Sequence, residues 1–117
     1  MDRQVTTTIG LIIAPFAISL IACTPSLADG DIMAGREAAQ KCEACHGLDG
    51  KSKIPEAPNL AGQNAQYIVK QLNDFKAGAR TNEMMSVVVS TLTDKETEDL
   101  AAYYSAIEVT FGKMSGQ

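Results

Sequence analysis

The segment Cys42-Glu43-Ala44-Cys45-His46 places two thiols three residues apart and an imidazole directly after the second thiol. It holds two of the three cysteines of the chain and its single histidine. Near the end of a helix, residues three apart lie on one face, so both thiols can reach the same edge of one bound molecule. The imidazole that follows is then held beside that molecule.

The group that fits this pattern is haem c, because each thiol can add to one vinyl group of a porphyrin and the imidazole can reach its iron. Two other kinds of site share part of the pattern. A disulfide or redox-active C-x-x-C pair belongs on strand–helix units, and no segment alternates with the period of a strand. A zinc site would need a second half that the sequence lacks. We therefore predict one covalently bound haem c, with Cys42 and Cys45 as attachment points and His46 as iron ligand.

The composition limits the class of protein. The chain has 117 residues, 45% apolar and 21% charged, which predicts one small globular domain. Its formal net charge of -4 argues against a nucleic-acid-binding domain. Aromatic residues make up only 5% of the chain, so side chains alone build a thin core that a bound group is expected to complete.

An export signal is predicted at the start of the chain. Residues 9–22 form an apolar run of 14 residues, which is short for a membrane span of about 20 residues and typical of a signal peptide. Small residues at Ser26 and Ala28 predict cleavage after Ala28, giving a signal peptide over residues 1–28 and a mature haem-binding domain over residues 29–117. Residues 20–23 also fit a lipobox, in which Cys23 would carry lipid, and an uncleaved anchor is the third alternative. Each alternative takes the protein out of the cytoplasm, and we expect the periplasm, with membrane contact only through a lipid on Cys23 or an uncleaved anchor.

The remaining pattern predicts an all-α domain of three main helices and a short one. The first helix is expected from the N-cap Asp31 to about Ala44. The others are expected, in chain order, at residues 65–76, at residues 85–90 and from the capping box Thr93–Glu96 onward. Gly78 lies where a glycine ends a helix.

Between the first two helices, residues 47–63 hold three glycines and two prolines, which predicts a long irregular loop. Such a loop in so small a domain is expected to wrap a bound group. Gly35 and Ala39 are expected to give the first helix a flat face on which Leu100 and Tyr103 rest.

A second axial ligand to the iron cannot be a histidine, because the chain has only one. A methionine, a lysine or an open site remain. Met85 begins an apolar stripe that continues at helical spacing through Val88, Val89 and Leu92, whereas Met84 begins a less apolar face.

In this order of elements the chain resembles the class I c-type cytochromes, most nearly one half of the dihaem cytochrome c4 group and its short single-haem relatives. The segments that carry the resemblance are CEACHGLDG (42–50), APNLAGQ (57–63), YIVKQLNDFKAG (67–78), RTNEMM (80–85) and LTDKETEDLAAYY (92–104). The chain departs from the dihaem group in having one haem motif and half the length. The resemblance implies a small helical fold wrapped around the haem.

The resemblance also implies the site. It assigns the sixth ligand to Met85, seven residues before Leu92, with Met84 as second choice. The other residues that it brings to the haem are Pro58, whose carbonyl faces the free N–H of His46, and Tyr67, Arg80 and Asn82, near the propionates.

An iron closed by His and Met has no position for substrate, so the expected function is one-electron transfer and not enzymatic catalysis. The expected partners are a quinol-oxidising complex and a terminal oxidase or reductase, with Lys51 and Lys53 placed to touch them. Two alternatives are a haem subunit of a larger periplasmic oxidoreductase and an open-site sensor or peroxidase. Four acidic residues of the last helix are interpreted as a solvated face: Asp94, Glu96, Glu98 and Asp99.

The processing prediction is tested by mass spectrometry of the exported protein. We expect an N-terminus at Asp29, one haem and no lipid. A diacylated peptide that begins at Cys23 would instead show a membrane-tethered protein.

Overall fold

The computed structural model describes Met1 and residues 30–116, and all regular structure among them is helical. The elements are α1 (Ile32–Ala38), a 3₁₀ turn (Ala39–Lys41), α2 (Glu43–His46), α3 (Ala65–Lys76), α4 (Glu83–Ser90) and α5 (Asp94–Ser105). The predicted all-α class is confirmed. None of these helices is long and apolar enough to cross a bilayer. The predicted signal peptide over residues 1–28 and the alternative at Cys23 lie outside the described residues, apart from Met1.

The prediction of one continuous first helix up to Ala44 is wrong. The helix is capped by Asp31 as expected, but α1 ends at Ala38. The amide of Cys42 then donates to the carbonyl of Ala39 at 2.9 Å, three residues back, which is the tighter 3₁₀ pattern. The α-helical ladder is therefore interrupted directly before the two thiols, and α2 begins with Cys42 as its N-cap.

The later helices begin at side-chain caps. Asn64 accepts a hydrogen bond from the amide of Tyr67, and Asn82 accepts one from the amide of Met85, each at 3.0 Å. The cap at Asn82 starts α4 two residues earlier than predicted. The capping box of Thr93 and Glu96 is present in full at the start of α5.

Two glycines bring α1 and the chain before it against the backbone of α5. A Cβ on Gly35 would lie 2.0 Å from the carbonyl oxygen of Asp99 and 2.7 Å from the Cβ of Tyr103, so the expected close contact of Gly35 with Tyr103 is confirmed. A Cβ on Gly30, which the sequence analysis missed, would lie 2.1 Å from the carbonyl oxygen of Glu98. No larger residue fits at either position unless the backbone moves.

The interpretation of the last helix as bearing a solvated acidic face is wrong for Asp99, which is only 4% exposed. Its carboxylate accepts a hydrogen bond from the amide of Asp31 at 2.6 Å and pairs with Lys95. The residue thus lies in the contact between α5 and the start of α1, where the face of α5 is covered.

Two ion pairs link α5 to other parts of the fold. Lys41 pairs with Glu96 at 2.7 Å, and this contact holds the pKa of Glu96 down at about 2. Lys76 pairs with Asp94 at 3.0 Å and also donates to the carbonyl of Leu92 at 2.9 Å. Each of these exposed pairs contributes little to the stability of the fold. Together they join Lys41, next to the predicted attachment point Cys42, and the end of α3 to the same helix.

The buried core is small and poor in large side chains. It consists of Ala38, Ala39, Ile68, Phe75, Val89, Leu92, Leu100, Ala101 and Tyr104. Only two of these are aromatic, which agrees with the thin core expected from the composition.

Substituting Gly35 tests the contact between α1 and α5. Gly35→Ala is expected to lower the free energy of unfolding by about 1–3 kcal/mol, because the added methyl group must displace the backbone of α5. A loss of stability would point to this contact, because Gly→Ala inside a helix otherwise stabilises a protein by about 1 kcal/mol. Thermal or urea unfolding of the haem-loaded protein measures it. The matched control is Gly112→Ala, whose Cβ meets nothing within 4 Å, and an equal effect of both variants would contradict this account.

Candidate functional site

A cavity of about 760 Å³ lies between α2, α3, α4, α5 and the loop over residues 47–63. Well-packed interiors hold few voids larger than a water molecule, and ligand sites fall in the range of about 300–1,000 Å³. The cavity is lined by all nine predicted site residues: Cys42, Cys45, His46, Pro58, Tyr67, Arg80, Asn82, Met84 and Met85. Residues that are distant in sequence are therefore brought to one space.

The two thiols lie on this cavity wall and are not joined in a disulfide. Both are partly buried. Burial raises the pKa of the Cys42 thiol to about 11.

The imidazole of His46 is buried, with 6% of the residue exposed. Its Nδ1 lies 2.9 Å from the carbonyl oxygen of Pro58, the contact that the resemblance implies. A carbonyl oxygen can only accept, so Nδ1–H donates and the neutral ring keeps its lone pair on Nε2. The hydrogen bond thus selects the tautomer and fixes the ring plane.

Backbone hydrogen bonds hold the loop that carries Pro58. The amide of Lys53 donates to the carbonyl of Cys45 at 2.8 Å, and the amide of Leu60 donates to the carbonyl of Gly50 at 2.8 Å. Gly50 has φ +70°, and a Cβ there would lie 2.5 Å from the amide nitrogen of Ala61. The irregular loop is therefore closed upon itself and upon the end of α2.

Two tyrosines of α5 fasten the first residues of the loop. The hydroxyl of Tyr103 donates to the carbonyl of Leu48 at 2.7 Å, and that of Tyr104 donates to the carbonyl of Gly47 at 3.1 Å. The sequence analysis missed these hydroxyl contacts. The available signal was that the O–H of a buried tyrosine needs an acceptor.

The two methionines of α4 differ in burial. Met85 is half-buried and packs against the core, together with Val88 and Leu92 on the cavity wall. Met84 also lines the cavity, but 55% of it is exposed. The predicted apolar stripe that starts at Met85 is thus the side of α4 that faces inward.

The three residues expected near the propionates line the cavity and are all exposed, so they lie at its rim. The guanidinium of Arg80 lies 4.5 Å from the ring centre of Phe75. The side-chain oxygen of Asn82 is used to cap α4. Tyr67 is 49% exposed.

A wide apolar cavity with an imidazole and a thioether on its wall fits a flat metal-bearing ring better than a metal ion alone. Among the described residues, no cluster of three or more His, Cys, Asp or Glu side chains could hold a metal ion. The wall offers an imidazole nitrogen and the soft thioether sulfurs of two methionines, which are donors that suit haem iron.

Comparison with known proteins gives consistent results. A family model described as Cytochrome c matches residues 32–107. The chain is 51% identical over 84 residues to cytochrome c4 of Thiocapsa roseopersicina, covering 71% of this chain and 43% of that protein. It is 38% identical over 82 residues to cytochrome c-554(548) of Halomonas halodenitrificans, covering 68% of this chain and 99% of that protein.

Two further matches extend this picture. The chain is 35% identical over 100 residues to a thiosulfate dehydrogenase electron acceptor of Stutzerimonas stutzeri, covering 81% of this chain and 46% of that protein. The crystal structure of reduced cytochrome c4 from Pseudomonas stutzeri superimposes with a TM-score of 0.59 at 41% identity, covering 66% of this chain and 45% of that one. The chain thus spans less than half the length of these two proteins and of the Thiocapsa relative.

Removing both attachment points tests whether the fold depends on the group in the cavity. Cys42→Ala with Cys45→Ala, purified without haem, is expected to be largely unfolded, because an unfilled void costs about 24 cal/mol per Å³ against a total stability of roughly 5–15 kcal/mol. Circular dichroism and thermal melting measure this. The control is Cys45→Ala alone, which keeps one attachment point. A cooperative, native-like melt of the haem-free double variant would refute the dependence.

Proposed function

Since this chain belongs to the cytochrome c family, we propose that it is a one-electron carrier of the periplasm in which His46 and Met85 hold the iron of its covalently bound haem c. When bound, the haem supplies an iron that takes up or releases a single electron. The chain would attach the ring through its two thiols and would hold the iron with His46 and Met85. The proposed attachment points are Cys42 and Cys45.

The observation that carries the proposal is the hydrogen bond between His46 Nδ1 and Pro58 O at 2.9 Å. With the proton on Nδ1, the buried ring on the cavity wall keeps a lone pair on Nε2 that can bind the iron. A ligand nitrogen whose orientation is fixed in advance needs little rearrangement when the charge on the iron changes. That property suits electron transfer.

Met85 is proposed as the sixth ligand because it is the half-buried methionine of the inward side of α4. A thioether is a neutral, soft ligand that favours the ferrous state and so raises the reduction potential. With His46 and Met85 both bound to the iron, no position would remain for a substrate. We therefore propose a carrier between a quinol-oxidising complex and a terminal oxidase or reductase, and no catalysis on a small molecule.

A second candidate function is that of a haem subunit of a larger oxidoreductase. The observation in its favour is the similarity to a protein named as the electron acceptor of thiosulfate dehydrogenase. Isolation of the exported protein under mild conditions separates the two: a carrier is recovered alone, whereas a subunit is recovered with its enzyme.

Substituting each methionine of α4 tests the proposed ligation. The ferric protein is expected to show the weak red charge-transfer band of an iron–thioether bond, and the ferrous protein to resist carbon monoxide. Met85→Ala should lose the band, admit carbon monoxide and lower the potential, because axial ligands act within a range of about 0.8 V. Absorption spectra and a redox titration measure these changes.

The matched control is Met84→Ala, which should keep the band and change stability by no more than about 0.5 kcal/mol, since most of this residue is exposed. The reverse result would move the ligand to Met84. If the unsubstituted ferric protein lacks the band and its ferrous form binds carbon monoxide, the closed-site carrier is wrong, and an open-site sensor or peroxidase becomes the better interpretation.

A further inference from the structure

We propose that the rim of the cavity beside α4 is the docking surface for a redox partner whose contact face is apolar at its centre and basic around it. This docking surface consists of Glu56, Tyr67, Glu83, Met84 and Val87. The proposal rests on the electron-carrier function proposed above and names the chemistry of the partner.

The apolar part of the docking surface is exposed. Met84 and Val87 are 55% and 69% exposed and lie three residues apart, on one side of α4. Tyr67 of α3 is 49% exposed. Met84 and Tyr67 also line the cavity, whereas Val87 lies outside its wall, so a group in the cavity leaves Val87 uncovered.

Position distinguishes this patch from the other exposed apolar side chains. Among the described residues those others lie at Met1, on α1 and after α5, and none of them lines the cavity. An apolar patch rimmed by polar groups is typical of an interaction site. At the cavity rim it brings a partner close to the redox centre.

The charges on the cavity wall determine the kind of partner. Glu56 and Glu83 line the cavity, are exposed and make no ion pair within the described residues. Of the two cations on the wall, Lys41 is neutralised by Glu96 at 2.7 Å. The other, Arg80, stacks on an aromatic ring and bonds to the neutral Gln71, so it keeps its charge and offsets one of the two carboxylates.

The two carboxylates therefore outweigh the remaining cation, and the chain as a whole carries -4. Complementary charge steers association and selects partners, so a basic rim on the partner is favoured. The sequence analysis placed the partner contact at Lys51 and Lys53. Neither lines the cavity, and Lys53 is paired with Asp49 at 3.0 Å.

Electron-transfer rates with two small oxidants of opposite charge test the proposal. Reduced, haem-loaded protein is mixed in a stopped-flow instrument with tris(1,10-phenanthroline)cobalt(III), an apolar cation, or with hexacyanoferrate(III), an anion, at low ionic strength. Glu56→Gln with Glu83→Gln should slow the reaction with the cation about threefold to tenfold and speed the reaction with the anion. Added salt should reduce both differences.

The matched control is Glu37→Gln with Glu98→Gln, which removes the same charge at residues that do not line the cavity. It should change either rate less than twofold. Equal effects of the two double variants would overturn the proposal, because the charge effect would then be global. Val87→Thr, which keeps the shape of the side chain, should slow only the reaction with the apolar cation, and an unchanged rate would remove the apolar centre from the proposal.

Nuclear magnetic resonance locates the contact directly. The paramagnetic cation tris(1,10-phenanthroline)chromium(III) should broaden the methyl signals of Val87 before signals near Lys51, and the reverse order would overturn the proposal. Val87 signals that move with protein concentration, without any probe, would show that a second copy of this chain occupies the surface instead. A reversible one-electron couple at an electrode is the separate check on function: its absence contradicts the carrier, whereas an intact couple with unresponsive rates contradicts only the docking surface.

Discussion

The hydrogen bond from His46 to the carbonyl of Pro58 connects the two parts of the chain between which the cavity forms. On one side lies α2, which carries the thiols and the imidazole. On the other side lies the loop that forms part of the cavity wall. A single 2.9 Å contact thus sets the protonated nitrogen, the orientation of the ring and the position of the loop together. A displaced loop would break this hydrogen bond and remove the contact that fixes the orientation of the ring.

That contact is maintained by packing some distance away. α5 lies directly on α1 through Gly35, and from the same helix Tyr103 and Tyr104 reach the first residues of the loop. The buried carboxylate of Asp99 joins α5 to the start of α1. The helix pair therefore acts as a frame that holds α2 and the loop at a constant separation, although neither helix supplies a proposed iron ligand.

Local signals were sufficient for much of the fold. The capping box at Thr93, the glycine stop at Gly78 and the C-x-x-C-H spacing each depend on a few neighbouring residues, and the structure shows the first two as expected. The interruption of the first helix before Cys42 could not be predicted from the sequence, because no glycine or proline marks it. It arises from one amide bonding three residues back instead of four. The burial of Asp99 was missed for another reason: Lys95 lies one turn away on the same helix, but Asp31 becomes a neighbour only when the start of α1 covers α5. The chemistry of the site was thus available from spacing, whereas its supports depend on tertiary contacts.

The tyrosine contacts also bear on the order of events during synthesis. A chain is made from its N-terminus, so Cys42 and Cys45 emerge long before α5, whose hydroxyls fasten the loop next to them. Before α5 is made, the carbonyls of residues 47 and 48 lack the tyrosine hydroxyls that bind them in the finished fold. The neighbouring segment with the two thiols is then not fastened by α5. The fastening of residues 47 and 48 is therefore a late contact, made when α5 packs against the rest of the fold.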